Sequence, residues 1–300
     1  MVAVTTPSFW FAITVCLSAE PSLESRLAPL AKNHKGKAAI AVKHLTTGES
    51  YYLNADEPKP TASLIKLAVM IETYQQAAEG RVKLTDPVTL RQADKVPGSG
   101  ILTNHFSDGA TFSLRDAVHL MIVFSDNTAT NLVLDKIGIG ATAKRMEEWG
   151  FPNTKINAKV FRGDKTSVFP ERTKQFGLGS TTAREMVGLL EKLHAGQMVS
   201  AEASKEMVEQ LKKCEDREKF PRFLSEKTVV AHKTGSVSGI RTDAGILYLP
   251  SGPVAVCVLT AENKDTSWNR ENAGNVLCAR VAKEVADHFA QSRKDTEAKP

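Results

Sequence analysis

The period of apolar and polar positions changes twice along the chain. Residues 38–43 and 50–53 are short apolar runs on either side of Thr47-Gly48, the pattern of a β-hairpin. From about 63 to 223 apolar residues recur at helical spacing, in segments near 63–79, 114–124, 127–137, 141–149, 181–195 and 201–213. Residues 227–233, 244–249 and 254–261 then return to β-branched apolar runs separated by turns, including Pro250-Ser251-Gly252-Pro253. One helix is expected before the hairpin, over 21–34, and an amphipathic one at the end, over 268–290. Strands at both ends with helices between them predict an α+β fold. Its antiparallel sheet is built from the N- and C-terminal segments with flanking helices, and an all-helical lobe, 63–223, is inserted between them.

The composition fits one globular unit: 300 residues, 42% apolar and 24% charged, are enough to bury a core. The net charge of +5 is dispersed, and the lysines stand singly or in pairs without aromatic interleaving, which argues against a nucleic-acid partner. Residues 8–19 form an apolar run too short to span a bilayer, and the small Ser18 and Ala19 precede Glu20. A signal peptide over 1–19 is therefore expected. The mature domain is then 20–292 with a charged tail over 293–300, periplasmic or secreted and without a stable membrane span. Lipid attachment at Cys16 is the less favoured alternative, because Val15 is bulky. Cys214, Cys257 and Cys278 have no C-x-x-C spacing and no nearby histidine pair, which argues against a zinc site; at most one disulfide is expected, and Cys257 and Cys278, within apolar patterns, read as buried free thiols. Neither a metal nor a cofactor is implied, and a monomer is expected.

The candidate chemistry centres on Thr61-Ala62-Ser63-Leu64-Ile65-Lys66. Apolar residues at 64, 65, 67, 68, 69 and 71 surround the turn almost completely, so this helix is buried on most sides. Ser63 stands near the helix start, and Lys66, three residues on, falls on the same face. Burial lowers a lysine pKa until the amine can act as a base, and a base beside a hydroxyl activates a serine nucleophile. Two further motifs lie elsewhere. Ser125-Asp126-Asn127 breaks two helical segments, where polar side chains can reach a cleft between lobes, or where one of them caps the next helix. His232-Lys233-Thr234-Gly235-Ser236 closes an apolar strand, and Gly235 leaves room for a peptide-like substrate backbone.

S-x-x-K, S-D-N and K-T-G in this order form the signature set of class A β-lactamases and penicillin-binding proteins. The chain resembles the class A serine β-lactamase family over nearly all of its mature length, including Ser99-Gly100-Ile101-Leu102, Leu114-Arg115-Asp116 and Ser180-Thr181-Thr182-Ala183-Arg184-Glu185-Met186. The resemblance implies Ser63 as nucleophile, Lys66 as its base and Ser125 as proton shuttle to the leaving nitrogen. It implies Asn127 as partner of the substrate's side-chain amide, and Lys233 and Thr234 as carboxylate ligands. The backbone N–H groups of Ser63 and Ser236 would form the oxyanion hole, with Arg241 a secondary carboxylate anchor. The implied substrate is a small molecule, a β-lactam or an acyl-peptide or ester.

The family's E-x-x-L-N motif, whose glutamate activates the hydrolytic water, does not occur in 161–179. Glu171 is the only glutamate there and the expected deacylation base, with Asp164 the other carboxylate candidate. The alternative to a β-lactamase is a penicillin-binding-like D-alanyl-D-alanine peptidase or esterase with slow deacylation. A non-catalytic binding protein is a third reading, disfavoured because a pure binder needs no buried lysine beside a serine.

Overall fold

A computed structural model of the chain describes residues 21–297, so the expected signal peptide and Cys16 lie outside the described residues. Five strands form one antiparallel sheet in the order Ser50–Leu53, Lys37–His44, Gly252–Ala261, Ile240–Leu249, Val229–Val237. The hairpin expected around Thr47-Gly48 is present, and its longer strand pairs with a segment some two hundred residues later, Ala41 facing Cys257.

The strands are apolar at consecutive positions because both faces of the sheet are covered. Ala38, Ile40, Val42, Val254, Val256 and Val258 point into one core, against Leu23 and Leu27 of the helix Leu23–Asn33 and against Leu277, Val281 and Val285 of the helix Ala273–Glu297. The alternate residues Ala39, Ala41, Ala255, Cys257 and Leu259 point into a second core shared with the helical lobe. Each fully buried Val, Leu or Ile contributes about 1.5–3 kcal/mol, so these two apolar layers fix the sheet between the helix groups.

The helix Lys66–Ala78 is the strut of the second core, with ten of its residues buried, from Lys66 to Tyr74 and Gln76. Around it pack Leu114–Val123, Asn127–Ile137, Ile139–Glu148, Ala183–His194 and Ala201–Lys212, close to the expected segments. The inserted lobe also carries short strands, Gly179–Thr181 between Lys155–Ile156 and the strand Lys59–Pro60 that precedes the lobe, and Pro87–Thr89 with Thr111–Ser113. It is thus helical with two small sheets rather than all-helical. The last helix starts at Ala273, not 268, and continues to Glu297, into the expected tail. Among the described residues no helix is long and apolar enough to cross a membrane.

Candidate active site

Ser63 lies in a short 3₁₀ turn, Ala62–Ile65, that runs directly into the helix beginning at Lys66. Ala62 has φ 47°, a left-handed conformation that costs an alanine roughly 1–2 kcal/mol. The neighbouring strand holds it there. The Thr242 hydroxyl donates to Thr61 O at 2.9 Å, and a Cβ on Gly235 would meet Thr61 O at 2.3 Å and Leu64 N at 2.9 Å. The space that Gly235 leaves is therefore filled by the serine's own turn. This corrects the expectation that it serves an approaching substrate, although Gly235 does line the cleft.

The Lys66 side chain is fully buried and points at the S-D-N segment. Its Nζ donates to Ser125 O at 2.6 Å and Asn127 Oδ1 at 2.9 Å, and lies 3.3 Å from Ser125 Oγ. Lys233 Nζ donates to the same Oγ at 3.0 Å and to Thr234 O at 2.8 Å. Burial pushes the Lys66 ammonium well below the ordinary lysine range and the Lys233 charge pushes it further, while Asp126 opposes them. Lys233 is lowered too, by burial, against the raising influence of Cys214 and Asp216. Two N–H groups of a neutral Lys66 satisfy the two carbonyl oxygens, and its lone pair is left to accept a hydroxyl proton. Ser125 Oγ can then donate to Lys66 while accepting from Lys233, so the serine bridges a base and a cation.

Ser125 also has a left-handed backbone, φ 53°. Asp126 supplies the local constraint: its Oδ1 caps the next helix by accepting from Ala129 N at 2.8 Å, and its Oδ2 accepts from Ile101 N at 2.7 Å and Leu102 N at 2.8 Å. Only a glycine fits at 100, where a Cβ would lie 2.3 Å from the Asp126 carboxyl. The Ser99 hydroxyl donates to Ser125 O at 2.9 Å, closing the 99–102 loop over the motif. Both alternatives for the triplet are thus realised, Asp126 as helix cap and Ser125 and Asn127 on the cleft.

That cleft, about 590 Å³, brings together Ser63, Ser125, Asn127, Thr234, Gly235 and Ser236. Lys66 and Lys233 stand behind its wall, in contact through Ser125. Among the described side chains, two expected residues are not brought there, Glu171 and Arg241. Glu171 follows Pro170 in the helix Pro170–Phe176, which turns its carboxylate outward, 84% exposed and paired with Lys174 at 2.9 Å. The backbone of Asp164 falls in the turn Gly163–Thr166, and its side chain is outside the described ones. Arg241 is buried with its guanidinium donating to Val237 O, Ile240 O and Ser267 O at 2.6–2.8 Å, and it stacks under Trp268 at 4.7 Å. It braces the turn after the K-T-G strand and holds a tryptophan in place, which corrects its expected role as a carboxylate anchor.

The cleft also holds residues that the sequence did not single out. Phe161 and Trp268 rim it at 66% and 71% exposed. Asp216 is the one carboxylate among the described residues on its wall. Lys219, 2.7 Å away, holds it below the usual carboxylate range in spite of burial.

The beta-lactamase enzyme family model matches residues 22–289. The chain belongs to that family. It is 27% identical to Beta-lactamase 3 of Bacillus cereus over 243 residues, covering 79% of this chain and 73% of that protein. The beta-lactamase of Sphaerobacter thermophilus superposes with a TM-score of 0.78 at 27% identity, covering 89% of this chain and 97% of that one. PBP-A shares the fold, with a TM-score of 0.77 at 24% identity over 90% of this chain and 96% of its own. The fold is shared also by the TLA-1 extended-spectrum β-lactamase, with a TM-score of 0.78 at 21% identity over 89% of this chain and 98% of its own.

Proposed function

We propose that this chain is a serine hydrolase that opens β-lactams through an acyl-enzyme on Ser63. The observation that carries the reading is the buried amine of Lys66, which donates to Ser125 O at 2.6 Å and Asn127 Oδ1 at 2.9 Å, lies 3.3 Å from Ser125 Oγ, and opens the helix that follows the turn of Ser63. Lys66 takes the proton of Ser63 Oγ, which bonds to the lactam carbonyl carbon. The N–H groups of Ser63 and Ser236 hold the developing oxyanion, each worth about 2.7–4 kcal/mol of transition-state stabilisation. The C–N bond then breaks. The leaving nitrogen takes its proton from Ser125 Oγ, which is reprotonated by Lys66. Lys233 and Thr234 bind the substrate carboxylate. The Asn127 amide nitrogen spends one N–H on Pro97 O at 3.0 Å and offers the other to an acyl amide. Phe161 and Trp268, both exposed, favour apolar or aryl acyl groups.

Deacylation is slow in this reading, because none of the described residues of 157–179 that line the cleft is a carboxylate. The same observation favours the second reading, a penicillin-binding-like D-alanyl-D-alanine peptidase or esterase with a long-lived acyl-enzyme. In both readings the mature chain works in the periplasm or outside the cell, by the pattern of residues 8–19, on a small-molecule substrate. Labelling by a fluorescent penicillin tests the shared first step: Ser63→Ala is expected to abolish the covalent signal with an unchanged melting temperature. Equal labelling of wild type and variant would remove Ser63 from the mechanism.

A further inference from the structure

The two N–H groups read as the oxyanion hole stand on different elements. Ser63 lies in the turn Ala62–Ile65, and Ser236 lies near the end of the strand Val229–Val237, at the edge of the sheet. Their separation therefore depends on what joins the turn to that strand. Thr61 O is the junction. It accepts from Leu64 N at 3.2 Å, which closes the turn around Ser63, and from the Thr242 hydroxyl at 2.9 Å. Thr242 belongs to the adjacent strand Ile240–Leu249 and stands directly opposite Gly235. A Cβ on Gly235 would fall 2.5 Å from Thr242 Oγ1, so the hydroxyl uses the space of the missing side chain to reach past the edge strand to the turn. Thr61 and Thr242 are both fully buried. The Thr61 hydroxyl itself has no hydrogen-bond partner, and among the described residues no other side-chain hydrogen bond joins this turn to the five-stranded sheet.

We propose that Thr242 is a positioning residue for acylation, whose hydroxyl fixes the nucleophile's turn against the K-T-G strand and so sets the spacing of the two oxyanion-hole donors. This role rests on the reading of Ser63 as nucleophile and of the Ser63 and Ser236 N–H groups as that hole. Between Thr61 and Ser63 stands Ala62 with φ 47°, a conformation that an alanine leaves when nothing holds it. Its relaxation would turn the adjoining peptide groups, and the Ser63 N–H with them. Close packing on the Gly235 backbone stops Thr61 O from moving toward the strand, but it cannot stop a movement away. The Thr242 hydroxyl supplies that restraint, while Thr61 N donates to Gly179 O at 3.0 Å on the other side.

Without the hydroxyl, Thr61 O still accepts from Leu64 N, so no buried acceptor is orphaned and the loss falls on geometry more than on stability. Oxyanion-hole donors act on charge that develops only in the transition state. A displaced donor therefore slows acylation without weakening the binding of the substrate.

Stopped-flow acylation by a fluorescent penicillin over a range of concentrations separates the maximal rate from the half-saturating concentration. Thr242→Val, close in shape but without the hydroxyl, is expected to lower the maximal rate at least about tenfold, since a misplacement of about 1 Å can cost 10²-fold. Half-saturation should stay within about twofold. Thr242→Ser should restore the rate. Glycine adopts a positive φ about as readily as a negative one, so Ala62→Gly in the Thr242→Val background should recover most of the loss. Phenylacetamidomethylboronic acid, whose tetrahedral adduct on Ser63 Oγ puts an oxygen in the hole, should bind Thr242→Val more weakly by the same factor as the rate falls. Where the valine variant fails to fold, Thr242→Ala against Thr242→Ser makes the same comparison. Equal maximal rates, a loss confined to half-saturation, or unchanged affinity for the boronic acid overturns the role of Thr242. A wild-type chain that never labels at Ser63 would defeat the reading of that serine instead. The crystal structure of Thr242→Val then decides the restraint: an Ala62 relaxed to negative φ upholds it, and an unchanged φ overturns it.

Discussion

Replacing Lys66 with alanine separates catalysis from stability, because the structure gives different sizes to the two effects. The amine donates to Ser125 O and Asn127 Oδ1, and each acceptor left unsatisfied costs about 1–3 kcal/mol. The Ser99 hydroxyl already donates its single proton to Ser125 O at 2.9 Å, so that acceptor keeps a partner and only Asn127 Oδ1 loses one. Removing a buried amine also relieves its desolvation. The expected change in stability is therefore small. The kinetic loss is not: a positioned general base contributes about 10²–10⁴-fold, or roughly 3–5 kcal/mol of barrier. Stopped-flow acylation by a fluorescent penicillin reads this directly, with thermal unfolding run alongside. The base works in its neutral form, so the rate should rise with pH through the lowered Lys66 pKa and level off well before the ordinary lysine range. Acylation of Lys66→Ala close to the wild-type rate would refute the role of the amine. So would a wild-type profile still climbing toward the ordinary lysine range, near pH 10.4.

Glu171→Gln should leave both the acylation rate and the adduct lifetime at wild-type values, since its carboxylate points to solvent; a prolonged adduct in stopped-flow traces would restore it as the base. Lys233→Ala should slow acylation by carboxylate-bearing lactams about tenfold or more while a neutral ester suffers less, a charge-assisted contact being worth roughly 1.5–3 kcal/mol; equal losses of kcat/KM would exclude the carboxylate role. His232 carries a pH signature. Burial opposes its protonation, but Asp243 and Cys214 outweigh burial and raise its pKa to about 10. The unfolded chain releases this proton near pH 6.5, so the pair's stabilisation is full below about 6.5 and is lost as pH rises through about 10. The Tm difference between wild type and a His232→Gln/Asp243→Asn double variant should accordingly shrink from pH 6.5 to 10, and a difference that grows would contradict the sign.

The sheet and the main helices were legible because their signal is local: each strand alternates between two apolar cores, and each long helix repeats one buried face. Ser63, Lys66, Ser125 and Lys233 were legible for a related reason, since three short motifs lie on those regular elements or at their ends. What escaped depends on contacts distant in sequence. The strand 240–249 was expected to begin only at 244 because Arg241, Thr242 and Asp243 are polar. They are nonetheless buried, since Thr260, Thr61 and His232 satisfy them. Trp268 was expected inside the final helix, but Asp265 accepts from Ser267 N and Ala273 N, and Asn272 Oδ1 accepts from Gly274 N, which delays the helix and leaves the tryptophan on a loop at the cleft. The 157–179 segment is held by Asn131, which bonds both backbone groups of Val160, and by Val168 N donating to Asn157 O. Nothing in its own pattern shows which side chains then face inward, and so Glu171 was chosen by residue type and Phe161 was overlooked.

Time-resolved intact mass spectrometry with benzylpenicillin tests the central claim most directly, because it follows both the formation of an acyl-enzyme and its decay. A single adduct should appear at one equivalent, map to the peptide containing Ser63, and outlast its formation by a wide margin, since no described carboxylate of 157–179 lines the cleft to activate water. An adduct mapped elsewhere, or none at all with intact penicillin remaining, would contradict acylation at Ser63. Rapid turnover with no accumulated adduct would contradict the slow deacylation inferred from the cleft.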